Sequence, residues 1–354
     1  MHVQYTCTDK YGYIIAEING KELQLFNSDE YNSLKQCETI EEICIKLNRK
    51  YKFLEGTEMN KNELKKSLNK TLINEYENIL KCTNDNINNS YNYKDGINDY
   101  DKTDNNIHTT NPLNTILEYY IETHKIKNFF FILQSLTKNK DINNLFTKID
   151  IGDFDELKTL KFCKDMTDVQ KYCIENCFLK KYYYKLKWHP DFKDNDYQKK
   201  QALLNKFHIE DTYNKLKNTN LFILEILELE ADRCIIDLTM NSLNMFVGKD
   251  RLDLYPRIHS MDAKMVSSLS MVESIDDMKN ILSSRYNINK DLYSELVNKE
   301  VCKYCESFRI FNDVSCVYSY FKLKEQEIKN VLWIVDCVLQ GRKNEIGSLL
   351  NLNK

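Results

Sequence analysis

Residues 221–238 read LFILEILELEADRCIIDL, a pattern that predicts a helix. Its apolar residues cover nearly all sides of a helix rather than one stripe, which predicts a deeply buried helix. Glu230, Asp232 and Arg233 nevertheless lie within it. Because a buried charge is costly unless it is paired, we expect these three side chains to have partners inside the protein.

Two arrangements would supply those partners. Glu230 and Arg233 are spaced to pair on one helix face. A second charged helix is predicted over residues 317–339, which contain FKLKEQEIKNVLWIVDCVL, and Glu325 and Lys329 there have the favourable i,i+4 order. One interpretation is intrahelical pairs on half-exposed faces, which carry little energy. The other is a cross-helix network, for example Arg233 with Glu325, that sets the helix register.

The composition of the whole chain also indicates helices. Only eight of its 354 residues are Gly and three are Pro, whereas sheets need turn residues often. We therefore predict an all-α protein. The chain carries 50 basic and 53 acidic residues, a formal charge of -3. Such a balanced chain has no overall field to attract phosphate backbones, so nucleic-acid binding is not expected.

Local patterns predict short helices near the N-terminus. Ser28 or Asp29 is the predicted cap of a helix that contains Tyr31 and Leu34. A capping-box pattern begins a second helix at Thr39 and Glu42. A third helix is predicted over residues 61–80, where apolar residues recur every four positions along one face. These are Leu64, Leu68, Leu72 and Tyr76.

Residues 83–111 differ from the rest of the chain. They are dense in Asn and Asp and poor in aliphatic side chains, so they predict a mobile loop that cannot bury enough apolar surface to become ordered. The helical pattern resumes at Pro112, which suits a first helical turn. The further predicted helices are 113–138, 154–187, 200–218, 219–247, 261–297 and 313–350, with a break from Asp250 to Pro256.

The sequence offers no catalytic or metal-binding constellation. The chain has 12 Cys at no regular spacing, and without a secretory leader they read as reduced, buried thiols. The pair Cys302 and Cys305 is a lone CxxC, whereas structural zinc sites need four ligands. No segment reaches the roughly 20 apolar residues of a membrane span. We expect no cofactor, no metal and no enzymatic activity.

One motif resembles a J-domain, the co-chaperone module that stimulates Hsp70-type ATPases. A basic helix leads through Trp188 to His189-Pro190-Asp191, and a following helix holds Phe207, Tyr213 and Leu216. In J-domains the Tyr and Leu usually follow the Phe by seven and ten residues, but here the offsets are six and nine. The shift rotates both side chains by about 100° on the helix. This co-chaperone function is the alternative interpretation.

A second resemblance extends over almost the entire chain. LEADR at 229–233, followed by Asn241-Ser242, resembles the d-subunit family of vacuolar ATPases, and so do residues 321–337. SDEYNSLKQCETIEE at 28–42 matches that family's Tyr-x-x-Leu-x-Gln-Cys-Glu-Thr pattern. Further matches in order are Gly12-Tyr13, Pro112-Leu113 and Arg251-x-x-Leu254-Tyr255-Pro256. The chain departs from the family where Ile15, Ala16 and Asn19 replace a Glu, a Gly and an Arg.

The resemblance implies a non-catalytic adaptor in a rotary proton pump. Its body would taper and hold three similar helical bundles around a central hollow, divided here as residues 1–111, 112–232 and 233–354. Its partners would be the membrane-ring c subunits and the central stalk subunits D and F. It would pass ATP-driven rotation to the ring from the cytoplasmic face of a vacuolar or other acidic organelle membrane, peripherally and through partner proteins.

The sequence also offers individual residues as candidate partner contacts. The polar face of the last long helix offers Lys322, Lys324 and Lys329 as candidate partner contacts, and the basic helix 180–187 is a second candidate. Cys37 and Cys337 fall in the first and last matched helices, which we expect to pack together. The two cysteines are therefore a possible thiol pair, provided that their Cα atoms lie within about 7 Å.

Overall fold

A computed structural model describes residues 7–51, 60–92, 111–137, 151, 154–163, 168–169, 171–172, 178–186, 194–243, 245–286 and 292–348. These residues form helices and turns and contain no strand, which confirms the all-α prediction. The chain divides into two compact units. Unit 1 comprises residues 1–117 and 301–354, and unit 2 comprises residues 118–300.

Eleven labels suffice for the longer helices. In the first half of the chain they are α1 Cys7–Glu22, α2 Ser28–Lys35, α3 Ile40–Asn48, α4 Lys61–Asn92 and α5 Pro112–Thr137. In the second half they are α6 Asp194–Leu216, α7 Ile223–Asn241, α8 Ala263–Ser270, α9 Ile275–Leu282, α10 Leu292–Ser307 and α11 Ser315–Leu339. Shorter helical segments are Asp155–Lys158, Thr159–Phe162, Phe178–Tyr182, Tyr183–Leu186, Lys249–Leu252 and Lys343–Ser348.

Helix α11 is the centre of unit 1. It contacts α1, α3, α4 and the segment Lys343–Ser348, and it is buried on most sides. The leucine face predicted for α4 is confirmed, because its four members are all buried. One of them, Tyr76, packs its ring 5.9 Å from the ring of Phe321 on α11. The first and last parts of the chain thus share one core, and the division into three lobes stays a prediction.

The N-terminal cap of α3 is the predicted residue, whereas the cap of α2 is a different one. Thr39 caps α3 by accepting a hydrogen bond from the backbone N–H of Glu42 at 3.3 Å. The cap of α2 is Asn27 rather than Ser28 or Asp29. Asn27 and Glu30 form a reciprocal capping box, in which Glu30 accepts from the Asn27 backbone at 2.8 Å. This box satisfies two of the first-turn donors, so the helix begins one residue earlier than predicted.

Helix α4 continues to Asn92, into the stretch for which the sequence predicts a loop. Extending an existing helix requires no new nucleus, so a polar sequence can follow the helix that precedes it. Residues 93–110 of the predicted loop lie outside the described residues. Helix α1 was not among the predicted helices.

Unit 2 is built around α7. This helix packs against α6 and α8, and its Ile235 and Ile236 belong to a core formed with α8, α9 and α10. A second core joins α5 to residues of the short helical segments and α6. The predicted helix 261–297 is divided into α8, α9 and α10, because Ser274 caps a new helix through the backbone N–H of Asp277. The predicted break at 250–256 contains the short helix Lys249–Leu252.

Candidate functional site

The first of two buried charge clusters, here called the Glu327 cluster, lies in unit 1. Glu327 on α11 is fully buried. Its carboxylate accepts hydrogen bonds from the backbone N–H of Phe26 at 2.5 Å, from Lys324 Nζ at 2.7 Å and from the Tyr51 hydroxyl. Three donors, one of them cationic, compensate the charge that the helix carries into the core.

Lys324 completes this cluster and corrects a prediction. Its ammonium group donates to the Tyr51 hydroxyl at 2.6 Å as well as to Glu327, and it lies 4.3 Å from the centre of the Tyr51 ring. Burial, followed by the Glu327 charge, raises the pKa of Tyr51 well above its usual value, so the phenol stays neutral and donates. Because Lys324 is buried in unit 1, it is not part of an exposed polar face.

The other two lysines of α11 lie nearer the surface than Lys324. Lys329 is exposed and pairs with the buried Glu325 at 3.9 Å, in the i,i+4 arrangement that the sequence indicates. Lys322 is half-buried, with its ammonium 5.8 Å from the Tyr318 ring centre. Lys322 and Lys329 therefore stay candidate partner contacts.

The second cluster, here called the Asp232 cluster, lies in unit 2. Asp232 on α7 is fully buried. It accepts hydrogen bonds from the backbone N–H groups of Ser260 at 2.9 Å and Met261 at 3.2 Å, and from the Ser260 hydroxyl at 2.6 Å. Arg285 Nη2 lies 2.8 Å from the carboxylate. Asp232 thus joins the loop before α8 and the turn that follows α9 to helix α7.

The two charged neighbours of Asp232 also bond across helices. Arg233 pairs with Glu300 of α10 and lies 3.5 Å from Asp237. Glu230 accepts a hydrogen bond from the Tyr119 hydroxyl of α5 at 3.0 Å. These contacts agree with a network that joins helices. Arg233 and Glu325 belong to different units, so the pair named from the sequence stays a prediction.

Arg251 is a buried charge that sequence reasoning missed. Its guanidinium is fully buried and bonds to oxygens of the chain: the Ser242 hydroxyl and carbonyl, both at 3.0 Å, and the carbonyls of Leu269, Ser270 and Val272 at 3.2, 3.2 and 2.7 Å. The fork of five donors matches this set of acceptors at the ends of α7 and α8. Ser242 and Arg251 each belong to a motif that carries the family resemblance. Those two motifs were the signal from which a contact between the two residues could have been predicted.

The cysteines whose side chains the structure describes are free thiols. Cys37 and Cys337 are both buried and free. The Cys37 thiol is 3.7 Å from the Ser33 carbonyl, and burial raises the pKa of Cys337. Their pairing stays a prediction. Of the CxxC pair, Cys302 is exposed and Cys305 is half-buried on α10.

The J-domain tripeptide, His189 to Asp191, lies outside the described residues, as does Lys187 of the basic segment. Lys180, Lys181 and Lys185 are exposed, and Lys181 pairs with Glu122 of α5 at 2.7 Å.

A cleft of about 420 Å³ opens in unit 2 between α6, α7 and residues 254–256. Carboxamides of Gln134, Gln198, Gln201, Asn205 and Asn241 line it, together with Lys206, Cys234 and Asp237. Burial raises the pKa of Cys234 to about 12 and also raises that of Asp237. The Cys234 thiol is therefore a poor nucleophile.

The described residues contain no group of three or more His, Cys, Asp or Glu that could hold a metal ion.

No helix among the described residues is both long and apolar enough to cross a bilayer.

Comparison with known proteins covers both units. A family model described as ATP synthase (C/AC39) subunit matches residues 99–349. The chain is 24% identical over 356 residues to V-type proton ATPase subunit d2 of Arabidopsis thaliana, covering 95% of this chain and 94% of that protein. It is 24% identical to V-type proton ATPase subunit d of Dictyostelium discoideum, covering 96% and 94%. The corresponding subunit d of Saccharomyces cerevisiae is 22% identical, with coverage of 96% and 97%.

Proposed function

The chain belongs to the ATP synthase (C/AC39) subunit family, and from this membership we propose that it is the non-catalytic subunit d of a V-type proton ATPase. The family resemblance found in the motifs is confirmed. The observation that carries the proposal is the near full-length match to relatives named subunit d, with 95–96% of this chain covered for the plant and Dictyostelium proteins.

In the proposed role the subunit couples the central stalk, through subunits D and F, to the c-subunit ring. ATP-driven rotation of the stalk would then turn the ring and move protons. Such an adaptor needs stiffness rather than a reactive group. The Glu327 and Asp232 clusters support this role, because fully satisfied buried polar networks make each unit rigid. We place the subunit peripherally on the cytoplasmic face of an acidic organelle membrane.

Affinity purification of the tagged full-length chain from detergent-solubilised membranes tests the assembly. We expect the c-ring and stalk subunits to be recovered together with it. Recovery of the chain without either set would overturn the proposal. If His189 is part of a J-domain, a purified Hsp70 ATPase would instead be stimulated by this chain, and the His189→Gln variant would lose that stimulation.

Coupling needs a second measurement. In vesicles depleted of the subunit, adding back the chain is expected to restore ATP-driven acidification. The ratio of acidification to ATP hydrolysis is the readout, because it distinguishes coupling from mere assembly. Full acidification of vesicles that lack the chain would contradict the proposed role.

A further inference from the structure

Unit 2 exposes a cluster of large apolar side chains, here called the methionine patch. Met271 is 65% exposed, and the other members are between 38% and 48% exposed. Those members are Met245, Val247, Leu252 and Ile275. A single exposed apolar residue is ordinary, whereas several on adjoining segments indicate a binding surface.

Two segments form this patch, and the backbone holds them together. The backbone N–H of Gly248 donates to the Ser270 carbonyl at 2.8 Å. Gly248 has φ +68°, and a Cβ there would lie 3.4 Å from Met271 Sδ. The Met271 side chain therefore lies over the turn that joins Val247 to the short helix carrying Leu252. Ile275 begins α9 four residues after Met271.

The methionines suit a partner whose surface is not flat. Methionine is unbranched and its thioether is polarizable, so it adapts to the apolar face of another helix. Protein surfaces that bind amphipathic helices use this flexibility.

The charged residues beside the methionine patch indicate the charge that a partner would carry. In the segments 245–253 and 271–277 the exposed carboxylates are Asp250, Asp253, Glu273, Asp276 and Asp277. The exposed cation in these segments is Lys249, since the guanidinium of Arg251 is buried. An apolar centre with an acidic rim is complementary to a helix with an apolar stripe flanked by Lys or Arg.

We propose that the methionine patch is a docking site for a basic amphipathic helix of a partner protein. The apolar stripe of that helix would cover Met271 and its neighbours, and its cations would reach the acidic rim. This inference rests on the surface of unit 2 and does not depend on the proposed function.

The probe is a synthetic amphipathic helical peptide of Leu and Lys, titrated into the full-length chain and followed by fluorescence anisotropy. Met271→Gln is expected to weaken binding about fivefold to tenfold, the usual effect of losing a central apolar contact. The matched control is Ile45→Gln on α3, because Ile45 is 63% exposed and lies in unit 1. This control is expected to leave the affinity unchanged.

Charge is tested in the same way. Asp276→Lys is expected to weaken binding and to reduce its salt dependence, whereas Glu77→Lys, an exposed reversal on α4, is not. A peptide of Leu and Glu with the same pattern is expected not to bind. Equal effects of the patch variants and their controls, or equal binding of both peptides, would overturn the proposal. So would concentration-dependent self-association of the chain that Met271→Gln abolishes, because the patch would then bind a second copy.

Discussion

Replacing Lys324 with methionine is expected to destabilise unit 1 strongly, although the two side chains are of similar length. The substitution removes the ammonium donor to Glu327 at 2.7 Å and to Tyr51 at 2.6 Å. Glu327 is fully buried, and the hydrogen bonds left to its carboxylate are those from the Phe26 backbone N–H and the Tyr51 hydroxyl. The methionine retains the apolar stem, so the volume lost is about that of the ammonium group.

The magnitude follows from this change. Removing one partner of a buried ion pair leaves an uncompensated charge and costs about 3–5 kcal/mol. Two neutral donors still bond to the carboxylate. We therefore expect the free energy of unfolding to fall by about 3 kcal/mol, near the lower end of that range. The matched control is Lys329→Met on the same helix, where the lysine side chain is 62% exposed and 3.9 Å from Glu325. Although Glu325 is buried, Lys329 lies in solvent at the outer limit of an ion pair, so its loss is expected to cost much less, about 0.5–1 kcal/mol.

Urea unfolding of the full-length chain, followed by far-UV circular dichroism, measures both variants. The Lys324→Met midpoint is expected to fall clearly below the Lys329→Met midpoint at an unchanged slope. The double variant Lys324→Met with Glu327→Met removes both charges. The double variant should lose less unfolding free energy than the two single variants lose together, by about 1–3 kcal/mol. An additive double variant, or equal losses for the two lysine variants, would refute the reasoning.

Three further outcomes are expected. Arg251→Lys should cost about 3 kcal/mol in thermal unfolding, because one ammonium cannot satisfy the acceptors that hold the guanidinium, whereas the exposed Arg257→Lys should be nearly neutral. Burial lowers the pKa of His208 to about 4 from the ordinary 6.5, so the unfolded chain takes up a proton before the folded protein does. Stability should therefore fall as the pH drops from 6.5 towards 4, by up to about 1.4 kcal/mol per pH unit, and His208→Gln should lessen that fall in urea titrations. Iodoacetamide at pH 8 should modify the exposed Cys302 and spare Cys234, whose pKa burial raises to about 12; mass spectrometry of the digested protein would show any contrary labelling.

The candidate sites show which side-chain roles local patterns can predict. Spacing indicated that Glu230, Asp232 and Arg233 needed partners, but the predicted deep burial of the whole helix is wrong. Asp232 is buried, whereas Glu230 and Arg233 are half-buried and Glu225 and Met240 are exposed. Spacing could not name Ser260, Arg285 or Glu300, since those residues meet α7 only after unit 2 has folded. Spacing also placed Lys324 on an exposed polar face. Local sequence cannot distinguish a lysine that faces water from one that pairs with a buried carboxylate.

Local sequence patterns were sufficient to predict the all-α class, the Thr39 cap and the leucine face of α4. Each depends on residues within a few turns of one another, where propensity and spacing act directly. The tertiary structure decided which charges meet. Glu327 bonds to Phe26 and Tyr51, which precede it by 301 and 276 residues. Such contacts follow from which helices pack together, and local spacing carries no information about that choice.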